Sequence, residues 1–258
     1  MTVMFTPEER TRLRSDLLEQ AAADSRLTGG AITGSFASGH EDRWSDIDLA
    51  FGVGEAADMP AVLSDWTARM YGSHGAVDHF DVRAGAWTYR VYLLASTLQV
   101  DLAFVPAAEF RALAPTFRLV FGQANDARHI PPPVATDLIG MGWLYALHVR
   151  SSMARGKPWQ AIHMIAGVRD HALALACLRH GLPAAHGKGI DGLPRDVTAP
   201  FEDSLARSLD AAELARAFQA AVAGLRREIR AVDPALAARL EPALLALSEI
   251  PAESTAGG

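Results

Sequence analysis

Three consecutive prolines, Pro131-Pro132-Pro133, divide this chain into two stretches of different hydrophobic rhythm. Before them, residues 76–106 run as short segments of strand character separated by turn-sized links. After them, apolar residues recur every three to four positions, the period of amphipathic helices. A polyproline linker is stiff and carries no backbone donors, which places the expected domain boundary there. With half of its 258 residues hydrophobic, the chain can bury one large core or two smaller ones, and its length slightly favours two domains. The expectation is an α+β protein: a mixed sheet with flanking helices over residues 1–130, an all-α bundle over 131–250 and a frayed tail at 251–258.

The first half opens with a strong helix start. Thr6 is placed to cap, Pro7 sits at the first helical position and Glu9 completes a capping box. Leu13, Leu17, Leu18 and Ala21 then form an apolar stripe that predicts a helix to about Ala23. Strands are expected over Val77–Val82, Thr88–Leu94 and Leu98–Val105, with Ala95-Ser96-Thr97 as a hairpin link between the last two. Ala107–Ala114 reads as a helix and Phe117–Phe121 as a short apolar segment. In the second half, helices are expected over Val134–Arg155, Trp159–His180, Pro200–Ser208, Ala211–Ala231 and Pro234–Leu247. Asp210 with Glu213 makes a capping box, and Asp233-Pro234 a second cap.

The stretch from Ile32 to Ala50 carries a pattern that packing does not require. Ala31-Ile32-Thr33 reads as a buried strand ending in a tight turn, where Gly34 leaves the backbone bare for close approach. A short helix from Phe36 to Gly39 would aim free N–H groups at whatever lies over Gly34 and Ser35, a place for phosphate. After ten intervening residues, Asp46-Ile47-Asp48-Leu49 alternates polar and apolar, so strand geometry puts the two carboxylates on one face. Their Cα atoms would lie about 6 to 7 Å apart at roughly 3.3 Å per residue. Like charges that close repel, and a divalent cation relieves the repulsion. The plain alternative is an edge strand with a solvated acidic face beside an ordinary Gly-Ser loop.

The combination of Gly34-Ser35 with Asp46-Ile47-Asp48-Leu49 resembles the nucleotidyltransferase superfamily of DNA polymerase beta. Arg43-Trp44-Ser45-Asp46-Ile47-Asp48-Leu49 looks like its small-molecule branch, which includes the aminoglycoside nucleotidyltransferases. The Ala-Arg-Gly more usual after that Gly-Ser is Ala37-Ser38-Gly39 here, without the positive charge. The resemblance implies an N-terminal nucleotidyltransferase domain with two Mg²⁺ ions as cofactors and ATP or another nucleoside triphosphate as co-substrate. Asp46 and Asp48 would be metal ligands, and a third carboxylate would come from a strand that follows a hairpin. Asp101, interrupting an apolar strand, is the best match, with Asp78 and Asp81 as runners-up. Asp101 is also the candidate base for the hydroxyl proton. Gly34, Ser35 and Ser45 would hold the nucleotide.

Two features of the second half could serve the same chemistry. Trp159, His163, Gly167 and Asp170 fall on one helical face, where Asp170 could anchor a cationic or polyhydroxy acceptor and Trp159 could cover it. A hydrogen-bonded pair inside a bundle explains the same spacing. Lys188, one of only two lysines, lies between glycines and could reach nucleotide phosphates, or be a solvated loop tip.

The net charge of −6 argues against a chain that works mainly by neutralising nucleic-acid phosphates. Gly52-Val53-Gly54-Glu55-Ala56-Ala57 matches a loose dinucleotide fingerprint, but the carboxylates on the preceding strand would oppose a pyrophosphate, and a flexible turn is expected. No apolar run reads as a membrane span, and Met1–Arg14 has no apolar signal core. The single Cys177 cannot form an internal disulfide, which makes the cytoplasm the default compartment. The expected activity is transfer of a nucleoside monophosphate to a hydroxyl of a small molecule. An aminoglycoside-type antibiotic would suit an acidic lining, and antibiotic resistance would follow. A protein-modifying AMP transferase and a non-catalytic nucleotide-binding module are the rivals, and the oligomeric state is left open.

Overall fold

A computed structural model of the chain describes residues 4–249, so the tail expected at 251–258 lies outside the described residues. The chain divides into two compact units, Met1–Ile130 and Pro131–Gly258.

The first unit is built on a six-stranded mixed sheet. Its elements are α1 (Pro7–Ala23), β1 (Leu27–Thr33), α2 (Gly34–Ala37), β2 (Ile47–Val53), α3 (Met59–Ser73), β3 (Ala76–Ala84), β4 (Trp87–Leu94), β5 (Gln99–Pro106) and β6 (Phe117–Gly122). Strand order is β3-β4-β5-β2-β1-β6. β2 and β5 pair in parallel, and every other neighbouring pair is antiparallel. The expected hairpin link is present, with Thr97 turning at φ 66°.

Alternation along the strands sorts side chains into two layers. Ile47, Leu49, Phe51, Leu102 and Phe104 join Leu17 and Ala21 of α1 and Val62, Trp66 and Met70 of α3 in one core. Trp66 anchors it, with its ring centroid 5.2 Å from Phe51 and 6.0 Å from Phe104. Its Nε1–H donates to Asp24 at 3.2 Å, which satisfies the one polar atom of that ring. The opposite face carries small residues, Ala31, Ala50 and Ala103, beside Trp87, Val105 and Phe110.

That second face explains two departures from the sequence reading. Ala107–Ala114 is a single 3-10 turn, Ala107–Glu109, followed by an isolated bridge from Arg111 to Asn125 and a bend over 113–115. Eight residues between Pro106 and Pro115 are too few to nucleate a stable helix, and the segment gains more by laying fully buried Phe110 on the sheet. Gly52 makes room for it. It belongs to β2 rather than to a flexible turn, and a Cβ there would lie 3.0 Å from the Phe110 ring.

Helix α1 begins with the expected capping box: Glu9 N–H donates to Thr6 Oγ1 at 3.2 Å, and Thr6 N–H to the Glu9 carboxylate at 2.8 Å. Its buried stripe, however, starts with Arg10 and Arg14 before reaching Leu17 and Ala21.

The second unit is a bundle of α4 (Ala135–Ala154), α5 (Pro158–Arg179), α6 (Arg195–Glu202), α7 (Ala211–Val232) and α8 (Pro234–Ser248). α5 is long and apolar enough to cross a membrane by length and composition, a property the sequence reading did not credit, and half of that stretch is buried in the bundle. α6 was expected at Pro200–Ser208 but starts five residues earlier and tolerates Pro200 inside it. The gain is the burial of Val197 and Phe201, one turn apart, with the Phe201 ring against Gly224 of α7. Asp233 caps α8 as expected, accepting from Leu236 N–H at 2.9 Å. The capping box at Asp210 does not form. Glu213 is drawn instead to the Arg216 guanidinium and to the Arg207 N–H, and these hold its carboxyl down at about 2.

One buried charge in the bundle is fully paired. Glu228, 1% exposed, accepts from Arg179 at 2.9 Å and from Arg227 at 3.1 Å. Glu228→Ala removes the acceptor and leaves two guanidinium groups that solvent reaches only in part. The expected loss is about 2 to 3 kcal/mol, below the ceiling for a fully buried pair. A urea titration followed by the helical signal measures it, and a midpoint equal to the wild type would show the pair to be energetically neutral.

Candidate metal and nucleotide site

Parallel pairing of β2 with β5 places Ile47 beside Val100 and Asp48 beside Asp101. The two strands therefore bring together the same polar-apolar-polar triplet, Asp46-Ile47-Asp48 and Gln99-Val100-Asp101. Ile47 and Val100 are fully buried in the helix-covered core, which turns the polar members the other way. One carboxylate oxygen from each of Asp46, Asp48 and Asp101 lies within 4.8 Å of the others, and all three residues are half-buried. The runners-up are elsewhere: Asp81 is held by both sides of the Arg90 guanidinium at 2.7 and 2.8 Å, and Asp78 is exposed.

Gln99 was not singled out from sequence. Its Nε2 donates to Asp101 at 3.1 Å and to Asp46 at 3.3 Å, bridging two acids that would otherwise repel. The signal was present as polar parity with Asp101, but its meaning depends on which strand lies alongside. Burial pushes the Asp101 carboxyl up to about 6, the Gln99 bond pulls it down, and the charge of Asp46 raises it further. A cluster of three carboxylates, with oxygen donors only and one of them poised near neutrality, matches a hard divalent cation such as Mg²⁺.

Gly34 has a more specific role than leaving room for phosphate. It sits at φ +66°, and a Cβ there would fall 1.9 Å from Asp48 Oδ2. The turn and the acid are thus packed against each other. α2 begins at Gly34 itself, two residues before the expected start, which puts Gly34 and Ser35 in its first turn. Ser38, where the family pattern has a positive charge, bonds back to the Ser35 carbonyl at 2.9 Å. Positive charge nearby comes instead from Arg14 and Arg118, whose guanidinium carbons lie 3.5 and 4.6 Å from the centroid of the Phe36 ring.

The loop leading to Asp46 is clamped from α1. Buried Arg10 donates to the carbonyls of Asp42 at 2.6 Å and Ser45 at 2.9 Å, and Arg10 and Arg14 both pair with Glu41. Within the loop, the Ser45 hydroxyl lies 3.0 Å from the Asp42 carboxylate and accepts the Asp42 N–H at 2.9 Å. Ser45 therefore shapes the approach to Asp46. These arginines escaped the sequence reading because charged residues on an amphipathic helix are ordinarily solvent-facing.

On the same face of the sheet, a cavity of about 160 Å³ is bounded by Asp48 and Asp101, by Trp87 and Tyr89, and by the segment after β5. The Trp87 and Tyr89 rings are stacked, with centroids 5.8 Å apart and planes 20° from parallel.

The remaining expected residues lie in the second unit. Trp159, His163 and Asp170 are exposed on α5, Trp159 at 75%. Gly167, between them, packs under Tyr145, where a Cβ would come within 2.4 Å of the ring. Asp170 pairs with neighbouring Arg169 at 3.3 Å. Lys188 is exposed on the loop between α5 and α6.

No protein-family model matches the chain, and no curated protein matches it. Among solved structures, it is similar to an aminoglycoside 6-adenyltransferase from Bacillus subtilis. The identity is 14%, the match covers 93% of this chain and 98% of that one, and the TM-score is 0.41.

Proposed function

We propose that the chain is a Mg²⁺-dependent nucleotidyltransferase that moves a nucleoside monophosphate, from ATP or another nucleoside triphosphate, to a hydroxyl of a small molecule. The observation that carries this reading is the convergence of Asp46, Asp48 and Asp101 on one point beside the Gly34-Ser35 turn. Asp46, Asp48 and Asp101 would hold the metal, which when bound supplies charge neutralisation and Lewis acidity to the phosphates.

The chain's own groups account for the rest of the reaction. The backbone at Gly34 and Ser35 receives the triphosphate, and Arg118, over the Phe36 ring, is an exposed cation beside it. The acceptor hydroxyl oxygen forms a bond to the α-phosphorus, and the bond from that phosphorus to the bridging oxygen of the β-phosphate breaks. Pyrophosphate leaves with the electron pair. The hydroxyl proton passes to Asp101, whose carboxyl burial raises above the usual carboxylate range in the metal-free chain. Gln99 keeps that carboxylate aimed, and the Arg10 clamp fixes the loop that carries Asp46. Lys188, Trp159, His163 and Asp170 are the bundle residues offered for nucleotide and acceptor contacts, and the protein is expected to act in the cytoplasm.

The decisive test is pyrophosphate release from ATP with Mg²⁺, screened over aminoglycosides, lincosamides, other small-molecule alcohols and candidate proteins, with calorimetry of a non-hydrolysable ATP analogue beside it. Turnover with a small molecule supports the reading. Turnover with a protein alone replaces it with protein modification, and saturable nucleotide binding without any turnover replaces it with a sensing module.

A further inference from the structure

The turn that closes α2 fixes a side chain that neither the sequence nor the acids single out. Gly39, at φ 74°, reverses the chain, and two backbone bonds lock the reversal: Gly39 N–H donates to the Phe36 carbonyl at 3.2 Å, and His40 N–H to the Ser35 carbonyl at 2.9 Å. This is the Schellman closure, and glycine adopts its positive φ without strain. It brings the backbone of His40 back to Ser35.

The His40 ring is held too. Its Nδ1 lies 3.2 Å from Ser38 Oγ. Ser38 has one hydroxyl proton, and the Ser35 carbonyl, which can only accept, takes it at 2.9 Å. Ser38 Oγ is therefore the acceptor toward the ring, and Nδ1 carries a proton. Nε2 has no hydrogen-bond partner among the described residues, and His40 is exposed. A phosphate oxygen at neutral pH accepts and does not donate. A ring already protonated on Nδ1 thus meets phosphate as the imidazolium, through an Nε2–H. We propose that His40 grips the triphosphate through Nε2 and supplies the positive charge that the family pattern places at residue 38. The assignment rests on the nucleotidyl-transfer reading given above.

The charges around the turn favour His40 over the neighbouring arginines. Arg14 is buried and paired with Glu41, and Arg118 stands over the Phe36 ring. Neither donates to residues 34, 35 or 38 among the described residues. Glu41, next to His40 in the chain, is held by Arg10 and Arg14, so the adjacent negative charge is already balanced. His40 alone is bonded to the side chain that stands at the position of the missing charge. One chain of bonds, Nδ1–H to Oγ and Oγ–H to the Ser35 carbonyl, ties the ring to the turn. A triphosphate brought up to Asp46, Asp48 and Asp101 sets anion against anion. Metal ions relieve that repulsion at the acids, and a cation at residue 40 relieves it at the turn.

Calorimetry on the full chain with Mg²⁺ tests the assignment, using a non-hydrolysable ATP analogue and inorganic tripolyphosphate as probes. Wild type is compared with His40→Gln, with His40→Arg, and with His40→Gln combined with Ser38→Arg. Glutamine keeps a donor without charge, and arginine keeps both. In His40→Gln both probes should bind about ten- to a hundredfold more weakly, by the same factor. His40→Arg should stay within about threefold of wild type, and Ser38→Arg should restore the affinity that His40→Gln loses. An unchanged constant in His40→Gln overturns the assignment. So does a loss for the ATP analogue that spares tripolyphosphate, which would place His40 at the nucleoside. A loss that arginine repairs at neither position makes His40 a part of the turn only and overturns it as well. A wild type that binds neither probe removes the grip and the transfer reading together. The expected binding pattern in a protein that releases no pyrophosphate with any acceptor leaves the grip standing and removes the transfer reading alone.

Discussion

Asp101→Asn is expected to abolish turnover and to make the protein more stable. The activity loss should exceed about a thousandfold, because one substitution removes a metal ligand and the base that accepts the hydroxyl proton. The stability gain follows from burial. In the folded chain the Asp101 carboxyl titrates at about 6, against 3.8 when unperturbed. Between those values the folded state holds a proton that the unfolded state has lost, so stability falls as pH rises through the window and the whole penalty is present above about 6. Two units correspond to a ceiling of about 3 kcal/mol, and the share of the group that reaches solvent reduces this to about 1 to 2 kcal/mol. Asparagine carries no charge to desolvate, so Asp101→Asn should melt a few degrees higher than the wild type at pH 7.5 in EDTA. Near pH 4 the two should melt together. Mg²⁺ reverses the ranking, since it stabilises only the protein that binds it. Metal affinity of the wild type should weaken below about pH 6, where protons compete for the same oxygen. An Asp101→Asn protein that is no more stable at pH 7.5 would mean that this carboxylate is not desolvated, and its role as a tuned base would fall with it.

Gly34→Ala is expected to behave as a damaged Asp48. The added methyl carbon would overlap Asp48 Oδ2, and the backbone at φ +66° disfavours any side chain. Either the turn shifts or the carboxylate does, and both disturb the point on which the acids converge. Turnover should drop by about 10² to 10³, comparable to the cost of misplacing a reacting group by an ångström. Asp48→Asn alone should cost at least as much. The double variant should be little worse than Asp48→Asn, because both changes act through one contact. Additive losses in that cycle would show that Gly34 serves the phosphates independently of Asp48. Unchanged activity in Gly34→Ala would remove this turn from the site.

Much of this arrangement was readable in the chain because it is written in local rules. Thr6-Pro7-Glu8-Glu9 states a helix start through atoms three residues apart. The alternation of Asp46-Ile47-Asp48-Leu49 states which side chains share a strand face, and the interruption of an apolar run by Asp101 marks a polar residue that needs a reason. The prolines at 131–133 mark where one rhythm ends. Local rules also misled. Ala107–Ala114 has the composition of a helix, but the sheet face needed Phe110. Pro200 looked like a helix start, but Val197 and Phe201 had a place in the core. Glu213 looked like a capping partner for Asp210, and Arg216 competed more strongly.

The sequence by itself therefore determined the α+β division, most of the elements and the three acids of the triplet strands, since periodicity and capping depend on residues a few positions apart. Only the tertiary structure decided that Gln99 bridges Asp46 to Asp101, that Arg10 and Arg14 leave solvent to clamp the loop before Asp46, that Gly34 exists to clear Asp48, and that an aromatic-walled cavity adjoins the acids. Each of these depends on strand register and on which residues, tens of positions apart in the chain, end in contact. Burial then sets the charge state of Asp101, and burial is a property of the packed chain rather than of any short stretch of it.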